Sequence, residues 1–366
     1  MKTDICRLWQ GFLIAAVLVF SGCSGKAPAL GREASGAYSN LLSEEAEELV
    51  QTGVSYHDRG DYETAIDYYN QAMELEPDHP VIYYEIGFSR IALGNVAEAL
   101  ELAEKGIIAA KAREYEEMIP SLLDLKGSAL YNLGRSEEAV DVYLLAINQY
   151  GVTSVFPYYN LGLNYYRLER GKEAADALRR GLLINPNHAS SNYLLGKICM
   201  EDGKKTQALF PFCYFLLLEP NTERAAQSYN TVKYMLSVQE EGIGVRDNGT
   251  FTTADMIISV AFTLDEANFR MSEAEKTKAK LEYVFTALEE QKNSGKIGRS
   301  GGDELWWDFY SPFFYRVVKS EYAKTFYRYI GLSADSAADN WIENGQEEIE
   351  NFFVWLNDYF EESARE

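Results

Sequence analysis

The sequence predicts an all-α protein: an α-solenoid of five helical hairpins with a capping helix, followed by a C-terminal helical bundle. Three observations carry this. Gly53, Gly87, Gly127, Gly162 and Gly196 recur at intervals of 34, 40, 35 and 34 residues, and Ala65, Ala99, Ala139, Ala174 and Ala208 repeat the same four intervals. Two small-residue series sharing one period near 34 mark stacked helix pairs. Pro77, Pro186 and Pro220 close three of the units. Beyond residue 240, apolar side chains fall at three- and four-residue spacing behind capping sequences, the signature of amphipathic helices.

The chain opens on a leader. Lys2 and Arg7 form a short positive region, and an apolar stretch runs from Gly11 to Phe20. Ten helical residues rise about 15 Å, half the thickness of a bilayer core, so the stretch reads as a signal-peptide core over residues 1–22. It ends in Phe20-Ser21-Gly22-Cys23, which resembles the lipobox of bacterial lipoproteins, with Phe20 in place of the usual Leu. That resemblance implies cleavage before Cys23 and acylation of its thiol. Ser24, where Asp would retain the product at the inner membrane, implies the outer membrane with the protein facing the periplasm. The alternative is an ordinary secretory signal with a chance cysteine. Residues 23–42, rich in Ser, Gly, Ala and Pro, read as a lipidated flexible tether.

Composition bounds the rest. The 366 residues carry 34 basic and 56 acidic side chains, a formal charge of −22, which argues against a nucleic-acid partner. Three histidines and four cysteines leave little for metal or thiol chemistry, and no cofactor or metal is expected. Cys6 leaves with the leader and Cys23 is lipidated, so Cys199 and Cys213 remain. They could bridge, but their placement within one hairpin favours buried free thiols.

Residues 43–238 hold the repeats. The clearest unit runs from Ala46 to Pro77 with Leu49, Gly53, Tyr56, Gly60, Ala65, Tyr69 and Ala72 between. Gly53 and Ala65 fit where two antiparallel helices approach most closely, since larger side chains would force them apart. Gly60 with Asp61 makes the turn, and Pro77 ends the second helix. This pattern resembles the tetratricopeptide repeat, with five units over about residues 45–221. The 40-residue interval is assigned to a longer second helix and linker around Ala109–Met118. The fourth unit has Glu169 at the turn-glycine place and Gly171 just beyond, so a distorted turn is expected there. Residues 223–237, with Ala225, Tyr229, Val232 and Leu236 on one stripe, read as the capping helix.

In the family resembled, the first helix of each unit lines a concave groove. The corresponding places hold Val50 and Val54, then Val81, Tyr84, Phe88 and Ile91, then Asp124 and Tyr131. Phe156, Tyr159 and Tyr166 follow, and finally Tyr193, Lys197 and Met200. The Lys and Asn set with which chaperone-binding members clamp a C-terminal carboxylate is missing. The groove is apolar and aromatic, suited to a protein partner's helix or extended peptide. A groove covered by the chain's own C-terminal region is the other reading.

Residues 239–366 differ in composition. Gly242, Gly244, Asn248 and Gly249 mark the entry loop; Thr252 with Asp255, and Ser272 with Glu275, resemble capping boxes. Ile257, Val260, Ala261 and Leu264, then Leu281, Val284, Phe285 and Leu288, follow helical spacing, as do Trp341, Ile349, Phe352, Phe353, Leu356 and Tyr359. No histidine or cysteine follows Cys213, which removes histidine triads and thiol nucleophiles from this half. The Gly295-Lys296 and Gly298-Arg299 loop lacks the full phosphate-loop pattern and reads as a connector. Paired acids such as Asp303 with Asp308, or Glu347 with Glu350, leave open a carboxylate-based hydrolytic or glycan-binding module. The Trp306–Tyr315 aromatics read as core in preference to a sugar platform. Ten acids and one base, Arg365, occupy residues 335–366, so the acyl chain at Cys23 must supply membrane attachment. The reading is a non-enzymatic, membrane-anchored periplasmic adaptor for protein partners in cell-envelope assembly or maintenance.

Overall fold

The computed structural model describes residues 41–237, 251–264, 271–297, 301–334, 341–342 and 344–365. Residues 1–40, with the expected leader, Cys23 and most of the expected tether, the expected Gly242–Gly249 loop and Gly298-Arg299 lie outside the described residues. Among those described, all regular structure is helical, and sixteen α-helices follow one another. The chain divides into two compact units, with the boundary between Ile184 and Asn185.

The first unit holds four hairpins: α1 (Glu44–Asp58) with α2 (Tyr62–Leu75), α3 (Pro80–Ala92) with α4 (Val96–Ala112), α5 (Ile119–Asn132) with α6 (Ser136–Tyr150), and α7 (Val155–Arg167) with α8 (Gly171–Ile184). The repeated small residues sit at the helix crossings. A Cβ on Gly53 would lie 2.4 Å from the Tyr69 ring, and one on Gly162 would lie 2.8 Å from Leu178 Cγ. Ala65, Ala99, Ala139 and Ala174 are fully buried. The longer repeat interval arises where α4 runs on to Ala112 and a 3-10 turn at Glu116–Met118 precedes α5.

The hairpin turns share one hydrogen-bond pattern. Gly94 N–H donates to Ile91 O and Asn95 N–H to Arg90 O; Gly134 N–H donates to Tyr131 O and Arg135 N–H to Leu130 O. The fourth turn is not distorted, contrary to expectation. Glu169 N–H donates to Tyr166 O and Arg170 N–H to Tyr165 O, in the same register. Glu169 achieves this by adopting φ +59°, beside +82° at Gly94 and +76° at Gly134. The irregularity is therefore local backbone strain at a residue with a Cβ, not a changed turn.

The second unit contains the fifth hairpin, α9 (Ala189–Glu201) with α10 (Lys205–Leu218), then α11 (Glu223–Met235) and the C-terminal helices. These are α12 (Thr252–Val260), α13 (Glu273–Asn293), a π-helical segment (Leu305–Tyr310), α14 (Ser311–Lys319), α15 (Ala323–Ile330) and α16 (Gln346–Arg365). α10 explains why the fifth hairpin joins this unit. Its sequence is apolar all round, and every residue from Ala208 to Leu217 is buried. Such a helix belongs in an interior, not on one face of a solenoid. Phe210 stacks on Phe285, Tyr310 and Phe314, while Tyr214 meets Phe309 and Phe313. Each such ring is worth about 1.5–3 kcal/mol of burial. The Trp306–Tyr315 segment is thus core: Trp307, Tyr310, Phe313 and Phe314 are at most 1% exposed.

Polar groups hold α10 as specifically. Pro211 lies inside the helix, so the carbonyl four residues earlier loses its helical donor. That carbonyl, Gln207 O, accepts a hydrogen bond from Trp306 Nε1 at 3.2 Å. At the helix start, Asp255 Oδ1 accepts from Thr206 N–H at 2.8 Å and from the Thr206 hydroxyl at 2.7 Å. The expected Thr252–Asp255 capping box therefore does not form, because Asp255 caps α10 and not its own helix. The buried face of α12 turns with it: Ala254, Asp255 and Ile258 are buried, and Val260 is 48% exposed. The Ser272–Glu275 box does form at the start of α13. Glu289 and Lys292 make a buried ion pair at 2.6 Å, completed by the Ser311 hydroxyl donating to Glu289 and by Lys292 donating to Trp307 O.

Candidate protein-binding face

The first helices of the second, third and fourth hairpins present a common face in the first unit. Tyr84 of α3, Ser121 and Asp124 of α5, and Ser154 and Phe156 beside and on α7 border a shallow, solvent-open depression of about 20 Å³. α7 shows how the sequence shapes this face. Its residues from Val155 to Tyr166 are buried except Phe156, Tyr159, Leu163 and Tyr166, which are half-buried at helical spacing. The buried positions serve the hairpin core, and the aromatic stripe is what remains accessible.

The residues singled out for the groove are not equivalent. Tyr84 and Phe88 are 3% and 6% exposed and meet edge to face at 4.9 Å, so they form a buried wall. Tyr131 is half-buried beneath Arg167, whose guanidinium lies 3.6 Å from the ring centroid and donates to Tyr131 O at 2.5 Å. Phe156, Tyr159 and Tyr166 lie along α7. Tyr193 and Lys197 lie on α9 in the second unit, half-buried with Met200 on one stripe. There Tyr193 packs on Phe215 at 5.3 Å, with the Arg224 guanidinium 5.5 Å from its ring.

The face also carries polar groups that an apolar description passes over. Asp124 is 6% exposed, and Asn160 Nδ2 donates to its carboxylate at 2.8 Å. Asn164 Nδ2 donates in turn to Asn160 O at 2.8 Å, while Asn164 Oδ1 is buried without a hydrogen-bond partner. Beneath them the Tyr143 hydroxyl pairs with Ser128 Oγ at 3.1 Å, and burial pushes its phenol well above the ordinary range, keeping it neutral. Asn160 and Asn164 had one sequence signal: both flank the aromatic stripe on the same helix. An aromatic wall beside a buried carboxylate and amides can hold apolar side chains while accepting backbone N–H groups.

Other candidate chemistry disperses. His79 and His188 occupy the same place in the second and fifth hairpins, as helix N-caps: Val81 N–H donates to His79 Nδ1, and Ser191 N–H to His188 Nδ1. His79 Nε2 bonds Leu41 O at 2.9 Å, which sets its neutral tautomer. Burial lowers both imidazoles, His188 to about 4 with Arg224 adding to the effect. Cys199 and Cys213 are free and buried, and burial pushes the Cys199 thiol up to about 12 and Cys213 higher still. Among the described residues, no cluster of three or more His, Cys, Asp or Glu side chains could hold a metal ion.

Hairpins that seat a glycine of one helix against its partner's side chains, with a buried alanine opposite, define an α-solenoid repeat class. Three family profiles identify it: a TPR repeat over residues 53–101, and tetratricopeptide repeats over residues 120–150 and 155–188. The first four hairpins are tetratricopeptide repeats. Among curated proteins it is similar to the mitochondrial import receptor subunit TOM70 of Saccharomyces cerevisiae, 28% identical over 145 residues. The match covers 37% of this chain and 22% of TOM70, so the chain spans about a fifth of that relative's length. Among solved structures it is similar to Pseudomonas aeruginosa pilF, with 18% identity, TM-score 0.45, and coverage of 69% of this chain and 98% of that one. It is also similar to MamA of Desulfovibrio magneticus RS-1, with 20% identity, TM-score 0.40, and coverage of 49% and 97%.

Proposed function

We propose that this tetratricopeptide-repeat scaffold is a non-enzymatic adaptor of the bacterial cell envelope. In this reading acylated Cys23 anchors it to the outer membrane, the body faces the periplasm, and a helix or extended peptide of a protein partner lies along the repeat face. The observation that carries the binding role is the α7 stripe. Phe156, Tyr159, Leu163 and Tyr166 stay partly accessible while the rest of α7 from Val155 to Tyr165 is buried, beside the Asp124 carboxylate. Aromatic rings of this kind are typical anchors at the centres of protein interfaces.

The membrane role is supported by the leader's short apolar core and by Ser21-Gly22-Cys23. No helix among the described residues is long and apolar enough to cross a membrane, so attachment in this reading rests on the acyl chains. Cys23→Ser tests it. The wild-type protein is expected to take up radiolabelled fatty acid and to fractionate with outer membrane, and the variant to lose the label and be released or stall unprocessed. Wild type without label would refute the anchor while leaving the binding role standing.

A further inference from the structure

The second unit contains a cavity of about 530 Å³ between α11, the start of α13 and α15, remote in sequence from the repeat face. Its walls are apolar and aromatic: Tyr229, Leu281, Tyr327 and Ile330 are each at most 8% exposed. Four cations line it as well, Lys233 from α11, Lys278 from α13, and Lys324 and Arg328 from α15. The volume is that of a site for a small organic molecule.

The charge is unusual for this chain. The chain has 56 acidic against 34 basic residues, and several of its cations find a carboxylate. Arg90, Lys126, Arg135, Arg170 and Arg179 of the hairpins all do. Among the described residues, none of the four cavity cations has a carboxylate within ion-pair distance. Three lie over aromatic faces instead: Lys233 over Tyr229 at 5.8 Å, Lys278 over Tyr327 at 5.9 Å, and Arg328 over Trp341 at 4.6 Å. Two carboxylates also line the cavity, Glu273 within Coulombic reach of Lys233 and Glu275 of Lys278, but the hydrogen bonds of both are local. Glu273 accepts from Lys276 Nζ at 2.8 Å, and Glu275 accepts from the Ser272 N–H and hydroxyl in the α13 capping box. Four cations from three helices exceed what one carboxylate can engage, and they suit the doubly charged, three-oxygen head of a phosphate.

We propose that this cavity binds a small organic phosphate, its head held by Lys233, Lys278, Lys324 and Arg328 and its apolar body against Tyr229 and Tyr327. The same doubly charged head could come from a soluble phosphomonoester or from phosphatidic acid. Such a site is independent of the adaptor reading.

Calorimetric titration of the purified full-length protein with phenyl phosphate tests it, beside inorganic phosphate, benzoate and vesicles of phosphatidic acid or phosphatidylcholine. Phenyl phosphate is expected to bind at least tenfold tighter than inorganic phosphate or benzoate, and more weakly as salt rises. Lys278→Ala with Lys324→Ala should weaken it at least tenfold at unchanged melting temperature, and the two Lys→Arg changes should restore it. Binding to phosphatidic acid vesicles alone, weakened by the same pair, would support the site and assign the phosphate to a lipid. Equal affinity for benzoate, binding undiminished in the alanine pair, or no binding to any probe would overturn the proposal.

Discussion

Trp306 Nε1 donates to Gln207 O at 3.2 Å, and Gln207 O is the acceptor that Pro211 deprives of its helical partner. A proline in a buried helix is costly because it strands a carbonyl in an apolar interior. Here a tryptophan 99 residues further along the chain supplies the missing donor. The defect in α10 and the aromatic segment that covers it are one feature.

That relationship predicts non-additive substitutions. Trp306→Phe alone should destabilise by about 1–3 kcal/mol beyond its loss of contact area, because a buried carbonyl is left unsatisfied. Pro211→Ala restores an N–H to the helix, so Trp306→Phe should cost measurably less in that background. Denaturant unfolding of the four proteins checks this as a double-mutant cycle. Strict additivity would mean that the indole does not satisfy the carbonyl left by the proline.

Glu169 holds φ +59° at a turn where the other units use glycine. Left-handed backbone costs a residue with a Cβ about 1–2 kcal/mol, and glycine nothing steric. Glu169→Gly should therefore raise the melting temperature, by an amount reduced through the greater entropy of glycine in the unfolded chain. Gly134→Glu, the reverse change at the matching turn, should lower it. Calorimetry of both proteins is the check.

His79 and His188 cap their helices through Nδ1 and so must be neutral. His188 falls from an unfolded value near 6.5 to about 4 in the fold, chiefly by burial, and His79 is lowered in the same direction. A depressed folded value means that the unfolded chain takes up the proton first. The stability these caps supply is complete above about pH 6.5 and is lost as pH falls, for His188 toward 4. His188→Asn, which can cap but not titrate, should flatten the melting-temperature profile between pH 7.5 and 4.5. Parallel profiles for wild type and variant would contradict the assignment.

Much of the fold was legible because repetition amplifies weak signals. No single Gly–Ala pair identifies a hairpin, but five keeping one spacing do, and the crossings at Gly53 and Gly162 show why the spacing is kept. What stayed hidden were contacts made once, across long separations. Asp255 sits three residues after Thr252 as a capping-box acid would, and only its burial against Thr206 shows that it caps another helix. The all-round apolar run from Ala208 to Leu217 was a readable sign that the fifth hairpin belongs with the C-terminal helices, but repeat spacing alone places it with the solenoid. On the candidate face the aromatic places could be named from the repeat, yet partial exposure on α7 and full burial of Tyr84 and Phe88 depend on packing that the repeat does not encode.

The central claim is that the α7 stripe receives a protein partner. Photocrosslinking reads this directly, with a photoreactive amino acid placed at Tyr159 and, as control, at Ile108, which is 69% exposed on α4. The account predicts one discrete protein adduct at Tyr159 in envelope preparations, absent at Ile108 and lost when Phe156 and Tyr166 are changed to Ala in a protein whose melting temperature is little altered. The same adducts at both positions, or none at Tyr159, would contradict it.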